Sequence, residues 1–376
     1  MIKDIHLSLM IGPGVPVPVS REVVEALDSV QVNEESGDTQ SGFELNFNVD
    51  KRSPLTTLFL LSGGATIPIV RVVLVVTIGG KATPLIDGVI THHQLQPGSD
   101  GGPSTLRIQG KDLSQLLDLI PFDGIPYPAT PPFMRVNLIL LKYSALGIIP
   151  KVVPSIMVDT PLPMSRIPRH KGKDLGYVKQ LAKEAGYVFY MEPGPAPATS
   201  IAYWGPEIRV GEPQPALNID MDAHTNVESM SFSFDKESKE LPIVFIQNKE
   251  TKAAIPIPLP SLTPLSPPLG AVAPLPPKLQ ALDDTAHLEP HVAVMRGLAY
   301  AAQHADAVFG NGSLNVLRYG HILKPRRLVG VRGAGVPFNG LYFVTKVTHN
   351  IKRGEYKQDF SLARNGLVST VPRVRA

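Results

Sequence analysis

The segment Gly79-Gly80-Lys81-Ala82-Thr83 sets two glycines before a lysine, as a phosphate-binding loop does. In such a loop the backbone amides and the lysine cradle phosphate oxygens, and a hydroxyl after the lysine ligates magnesium. Here Val75 stands where the first glycine is required and Ala82 where the hydroxyl is required, so the segment reads as a hairpin turn. Gly330-Val-Arg-Gly-Ala-Gly335 carries its glycines in the reverse order of a dinucleotide fingerprint, and no βαβ pattern follows. His287 and His291 are four apart, a spacing that lets a helix offer two imidazoles to one metal. Pro290 intervenes, and Glu289 is one place away from the general-base position of a zinc protease, so a helix starting after Pro290 is the better account. Asp220, Asp222 and His224 could share one strand face, yet the sequence offers no further ligand beside them, and they read as a solvated turn. His92 and His93 are neighbours, which a strand would send to opposite faces. There is no Gly-x-Ser-x-Gly elbow, and no acid pair stands out for glycoside hydrolysis. Without cysteine, thiolate catalysis, disulfides and cysteine-zinc sites are excluded. No catalytic, cofactor-binding or metal site is expected, and the chain is not expected to be an enzyme.

The elements must therefore carry the function. With 376 residues the chain has room for two or three domains, and 43% hydrophobic residues can build their cores. The 36 basic and 33 acidic side chains nearly cancel, so no global field draws nucleic acid or an anionic membrane. The basic cluster Arg166, Arg169, His170, Lys171 and Lys173 reads as a solvated loop. The N-terminus carries an early acid, Asp4, and no apolar core of a secretory signal. The longest apolar stretch, Ile67 to Ile78, includes Pro68 and Arg71 and is too short to span a bilayer. Neither nucleic-acid recognition nor stable membrane insertion is expected, and a cysteine-free chain fits assembly in a reducing cytoplasm.

The 38 prolines and 32 glycines suit many short strands joined by turns. Phe43, Leu45, Phe47 and Val49 alternate on one strand face. Strands follow at Ile67 to Ile78, at Pro84 to Leu95 with a break at Asp87-Gly88, and at Ser104 to Gly110, after which Asp112 starts a short helix. Val23 to Asp28 reads as a short helix, as does Ser144 to Ile149, stopped by Pro150. The clearest helix begins at Asp174 as N-cap and ends at Gly186 as C′ residue. Leu175, Val178, Leu181, Ala182 and Ala185 form its apolar stripe. A hairpin of Tyr187 to Met191 and Ile201 to Trp204 follows. Ser229 to Phe234 alternates serine with apolar residues, Ile243 to Ile246 continues it, and nine prolines then fall between Ala253 and Lys278. Proline gives up the ladder donor, so that segment is an extended connector or protruding loop. His291 to Phe309 reads as a helix ending at Gly310-Asn-Gly312, and Leu314 to Tyr319 and Arg327 to Val331 read as strands.

The chain closes on a hairpin. Asn339-Gly340 is a turn signal, Leu341 to His349 a strand, and Tyr356, Gln358, Phe360 and Leu362 share one face of the return strand. The order Phe338-Asn-Gly-x-Tyr342-x-Val344-x-x-Val347-x-His349, a polar turn, and Tyr356-x-x-x-Phe360-x-x-x-Arg364 resembles the end of the hub domain of contractile-tail proteins, the family of phage late-control protein D and the hub portion of VgrG. The helix Asp174 to Gly186 with Tyr187 after it, and Thr105 to Asp112, are similar to that family too. The resemblance implies a β-rich α+β chain with two tail-tube-like β-barrels and an α+β insert, trimerising into a pseudo-hexameric ring. The corresponding divisions are 1–125 for the first barrel, 126–205 with 242–309 for the insert, 206–241 with 310–368 for the second barrel, and 369–376 as a tail. The implied role is a structural baseplate hub that adapts a hexameric inner tube to a trimeric spike. Because the chain stops at Ala376, the spike is expected to be a separate protein. Expected partners are the chain itself, the inner tube protein, the spike and other baseplate subunits, the last contacted by the proline-rich segment as a surface strap. The particle would be a virion tail or an injection particle released from the cell. Two alternatives remain: a hub or distal tube protein of a non-contractile tail, and a hub with cell-wall hydrolase activity. Tyr342, Val344, Tyr356, Phe360 and Leu362 are expected to pack the second barrel, and Arg364 to meet a neighbouring subunit.

Overall fold

The computed structural model describes residues 5–37, 39–49, 69–98, 104–154, 167–247, 253–259, 266–275, 278–283, 285, 288 and 290–371. The first β set comprises β1 (Ile5–Pro13), β2 (Val17–Pro18), β3 (Leu27–Glu35), β4 (Gly42–Val49), β5 (Val70–Ile78), β6 (Lys81–Gln96) and β7 (Ser104–Asp112), with helix α1 (Arg21–Ala26) before β3. All its ladders are antiparallel. Phe43, Leu45, Phe47 and Val49 are buried as the alternation predicts, each stabilising the core by about 1.5–3 kcal/mol. Asp87-Gly88 does not break β6 as expected. A Cβ on Gly88 would lie 2.2 Å from the Lys111 carbonyl oxygen, so glycine there lets β7 approach and the strand runs on. The same holds at Gly110, where a Cβ would meet the Phe43 ring at 2.2 Å. Asp112 starts a 3-10 turn, Leu113–Asp118, as its N-cap.

The insert has its own core. Helices α2 (Pro132–Leu141) and α3 (Asp174–Ala185) pack with a three-stranded sheet of β8 (Ile148–Val152), β10 (Ser200–Gly205) and β9 (Val188–Pro193). Trp204 is fully buried there, its indole N–H donating to the Val178 carbonyl at 3.3 Å. Gly186 takes the left-handed C-cap predicted for it, at φ 69°. Asp174 is not the N-cap. Lys173 is, and Asp174 opens the helix as a buried side chain. Pro150 sits inside β8, tolerated because β8 is an edge strand.

The remainder gives β11 (Gln214–Asn218), β12 (Ser229–Phe234), β13 (Glu240–Gln247), β14 (Ala254–Pro258), β15 (Gly270–Val272), β16 (Lys278–Ala281), α4 (Pro290–Gln303), β17 (Val308–Asn315), α5 (Val316–Tyr319), β18 (Leu328–Arg332), β19 (Gly340–Lys352), β20 (Glu355–Arg364) and β21 (Leu367–Ser369). Strand β13 does not continue β12. It forms a small sheet with β14 and β16, against which α4 packs, and α4 also touches α3. Within the proline-rich stretch, the described part of Ala253 to Lys278 forms edge strands; the rest lies outside the described residues. Gly310 and Gly312 are strand residues, not a helix stop, because the Phe232 and Phe360 rings occupy the space their side chains would fill.

Two β sets were expected, each closed on itself. Both are present, but strands β3 and β19 pair antiparallel from Ser29 with Lys352 to Glu35 with Lys346 and join them into one 13-stranded sheet. Among the described residues no ladder closes either set into a barrel. One hydrophobic cluster runs through both, from Leu9 and Val72 to Tyr342 and Leu362.

Candidate functional site

Eight successive strands of that sheet, β12-β17-β20-β19-β3-β4-β7-β6, bury one face and leave the other mostly polar, apart from Val89, buried against the insert, and the apolar Phe309 and Ala363. Register traces the polar face in rows. One runs His92, Gln109, Glu44, Gln31, Asn350, Lys357, Asn315; another runs Lys111, Gly42, Asn33, Thr348, Asp359, Ser313, Ser229. Side chains bond across the ladders. Gln109 Nε2 and Arg107 Nε donate to Glu44 at 2.9 Å each, Gln31 to Asn350 at 3.2 Å, and Asn350 to Asp359 at 2.7 Å. Thr348 Oγ1 donates to Asn33 at 2.9 Å, Ser361 to Asn311 at 2.7 Å, and Ser229 and Ser313 share a bond of 2.9 Å. Partial burial works against the Glu44 carboxylate, but the bonds from Gln109 and Asn46 and the charge of Arg107 hold its pKa below the ordinary value. Acids and bases alternate, so the face has no field of one sign. Its acids are tied to neighbours, so none is poised as a general base. What it offers is a broad, wet, mixed-charge wall.

The closing hairpin supplies the middle of this wall and packs its reverse side. Tyr342, Val344, Tyr356, Phe360 and Leu362 are buried in the shared core. Tyr342 donates to the Phe338 carbonyl at 2.8 Å, and burial raises the phenol's pKa. Asn339 Oδ1 accepts from the Ala334 amide at 2.9 Å. Gly340 opens β19 at φ 129°, where a Cβ would lie 2.5 Å from Ser369. Arg364 corrects the expectation set for it. It does not face a neighbour but is wholly enclosed by its own chain, stacked 4.4 Å from the Tyr342 ring and donating to the carbonyls of Pro337 and Asn339. Burial without a carboxylate partner lowers its pKa. Behind the hairpin, His349 Nδ1 lies 2.7 Å from the Tyr356 hydroxyl, and Gln358 closes both backbone groups of Leu323. His349 Nε2 lies 3.3 Å from Glu34 of β3 without hydrogen-bond geometry. Gln358 was legible only as a polar residue on an apolar strand face; nothing in sequence tied it to Leu323.

The insert helix places Leu175, Val178 and Leu181 in the insert core as its stripe predicts. Asp174 binds the Lys142 ammonium at 2.6 Å and the Tyr143 hydroxyl at 2.7 Å, with His170 Nε2 2.8 Å away but not aligned for a hydrogen bond. His170, expected in a solvated loop, is therefore buried, while Arg169 beside it is exposed and Arg166 lies outside the described residues. A His–Asp pair with both members enclosed, and no hydroxyl or thiol nucleophile at the imidazole among the described residues, reads as a structural clamp. The insert is fixed to the first β set by another buried pair. Arg71 grips Asp87 through bonds of 2.7 and 2.6 Å and reaches the Ala198 carbonyl at 2.8 Å, and Ser200 donates to Asp87 at 3.3 Å. A lone arginine within an apolar strand was the signal for that pair.

Gly79 and Gly80 both adopt positive φ, 56° and 82°, in the turn between β5 and β6, as their reading as a hairpin requires. Asp220 and Asp222 lie in an irregular stretch ending in a 3-10 turn, and His287 is outside the described residues. Among the described residues no group of three or more acids and histidines could hold a metal ion, and no helix is long and apolar enough to cross a membrane.

No protein-family model and no curated protein matches this sequence. Solved structures do. The chain aligns with the tail protein from Neisseria meningitidis MC58 at 14% identity, over 97% of this chain and 98% of that one, with a TM-score of 0.61. It aligns with the 43 kDa tail protein of prophage MuSo2 from Shewanella oneidensis at 12% identity, over 96% and 98%, with a TM-score of 0.58. It also aligns with a chain of the Francisella PdpA-VgrG complex at 7% identity, over all of this chain and 60% of that one, with a TM-score of 0.59. The similarity to tail hubs read in the sequence thus extends to the fold over nearly its whole length.

Proposed function

We propose that this chain is the structural hub of a contractile phage tail or tail-like injection system, a homotrimer that adapts a hexameric inner tube to a separate trimeric spike. The observation that carries this is the largely polar wall, eight strands wide, backed by one core, with the insert packed on the same face at its β6 end. Three such walls set side by side make a hydrophilic ring, with each β set acting as one tube-like unit (1–125; 206–241 with 310–368), the insert (126–205 with 242–309) on its periphery and 369–376 as a tail. The fold shared end to end with two tail proteins supports the same reading. The role is non-enzymatic. Assembly in the cytoplasm, with the tube protein, spike and other baseplate subunits as partners, follows from that role. Light scattering of the purified chain tests it. The expected mass is three times 40.6 kDa, with incorporation into tail-like particles when the tube protein is present. A strictly monomeric chain that never enters a particle would overturn the proposal.

A further inference from the structure

Where the two β sets and the insert meet, the chain encloses a polar cavity of about 170 Å³, well above the roughly 10–15 Å³ that one water requires. Glu34 of β3 and His349 of β19 line it from the junction of the sets, β9 lines it from the insert, and the loop before β18 supplies Lys324, Arg326 and Arg327. Several groups on this wall are donors with nothing to receive them. Gln358 settles the roles around His349. Its Oε1 accepts from the Leu323 amide at 2.9 Å, so its Nε2, which donates to the Leu323 carbonyl at 2.8 Å, can only donate toward His349 Nδ1 at 3.4 Å. Tyr356, whose phenol burial keeps protonated, donates to the same nitrogen at 2.7 Å. Nδ1 is therefore the acceptor, and the neutral ring carries its proton on Nε2. His349 is only 1% exposed, yet that N–H has no hydrogen-bond partner, the Glu34 carboxylate 3.3 Å away being out of line.

Arg326 repeats the pattern. Its Nη2 donates to the Glu35 carbonyl and its guanidinium stacks 4.1 Å from the Tyr190 ring, but its Nε–H is buried without an acceptor. Asp112, an acid whose field also reaches Arg326, has its oxygens taken by the Ser41 and Ser114 amides. The Lys324 ammonium has no partner among the described residues, whereas Arg327 and Glu192 approach each other at 3.7 Å. The loop that carries these cations is fixed at its backbone. Gln214 bonds both backbone groups of Lys324 as Gln358 bonds those of Leu323, and Arg326 is held at φ 60°. A non-glycine residue in that region is strained, and such strain gathers at ligand sites. We propose that the cavity binds a small oxyanion that still carries a proton, of the hydrogen phosphate class. Its bare oxygens accept from His349 Nε2, Arg326 Nε and the Lys324 ammonium. Its own hydroxyl donates to Glu34, which would only repel an anion without a proton, such as sulfate. The site lies within one chain and does not depend on the hub reading.

Equilibrium dialysis of the full chain against inorganic phosphate, with ionic strength held by chloride, tests the site. One phosphate per chain should bind saturably, with sulfate competing about tenfold or more weakly. Glu34→Gln puts an amide donor where the carboxylate was and should let sulfate compete as well as phosphate. Lys324→Gln should weaken phosphate binding by about tenfold, the worth of one charge-assisted bond. Phosphate should also raise the urea midpoint of the wild-type chain, because the ligand binds only where both β sets and the insert are assembled. The same rise should need about tenfold more phosphate in Lys324→Gln. If no saturable binding is seen, the cavity holds water alone and the proposal falls. Binding that ignores both substitutions, or that does not distinguish phosphate from sulfate in the wild-type chain, overturns it equally.

Discussion

Replacing Asp87 by Asn should loosen the insert from the first β set more than any surface change nearby. Arg71 and Asp87 are almost fully buried, with side-chain exposures of 6% and 1%, and the guanidinium has one other partner, the Ala198 carbonyl. An asparagine keeps the shape but removes the counter-charge, and stranding a buried charge costs about 3–5 kcal/mol. Arg71→Met strands the carboxylate instead, but that group can take up a proton. Removing both charges in R71M/D87N should cost only about 1–3 kcal/mol, chiefly the Ala198 carbonyl left without its donor. The two singles and the double, followed by urea unfolding, form a cycle with large coupling. Hydrogen exchange at the Ser200 amide, which bonds the Gly147 carbonyl within the insert, reports opening of the insert edge that carries Ala198 and Ser200. At 1.4 kcal/mol per tenfold, the D87N opening equilibrium should rise by about 100- to 4,000-fold. Burial already raises the Asp87 pKa, with the Arg71 bonds opposing it, so R71M raises it further. A raised carboxyl is uncharged in the fold at acid pH, and its cost sets in as pH climbs through the folded value. The R71M deficit should therefore shrink on acidification, and so should that of D87N once acid removes the wild-type carboxylate's charge. Additive singles, or deficits that do not shrink with acid, would refute the account of the pair.

Gly110→Ala forces a methyl into the Phe43 ring and the Val89 carbonyl, so its urea midpoint should report a loss of about 1–3 kcal/mol or more. Asp112 accepts from the Ser41 and Ser114 amides at 2.7 and 2.9 Å, and its burial raises its pKa. The stability advantage of wild type over Asp112→Asn should fall as pH rises through the raised value; an advantage that grows with pH would contradict the desolvation argument. Arg364→Met leaves two buried carbonyls without donors and should cost about 1–3 kcal/mol with no change in assembled mass by light scattering, whereas a true subunit contact would shift that mass.

Periodicity made the strands legible because each tells its own two faces apart. The alternation at Phe43 to Val49, at Ser229 to Phe234 and at Tyr356 to Leu362 survives in the structure, and so do the stripe and C-cap of the insert helix. Where a residue is fixed by something distant, the local rule misleads. Gly310 and Gly312 look like a helix stop because glycine usually is one; here they lie under Phe232 and Phe360. Asp174 looks like a cap, but its partners Lys142 and Tyr143 lie some thirty positions back and take the carboxylate. Helix α2 went unread because Pro131-Pro132 and its apolar run fit a strand as easily. Arg364 followed the same logic. An arginine just past a strand is usually at the surface, and only the fold shows Tyr342 and two carbonyls waiting for it.

The junction between the β sets was the least legible feature and the one with the largest consequence. Each of β3 and β19 reads as a strand with one polar face, and nothing in either says that Gln31 meets Asn350, more than three hundred positions away. Two such sets fit the two closed barrels that the resemblance to tail hubs implies, since closure hides edges. The chain instead pairs β3 with β19, which lines up the polar faces as one wall. A sequence built for two independent barrels would gain nothing from Gln31 facing Asn350 and Asn33 facing Thr348 across β3 and β19. A sequence built for one continuous wall needs that matching.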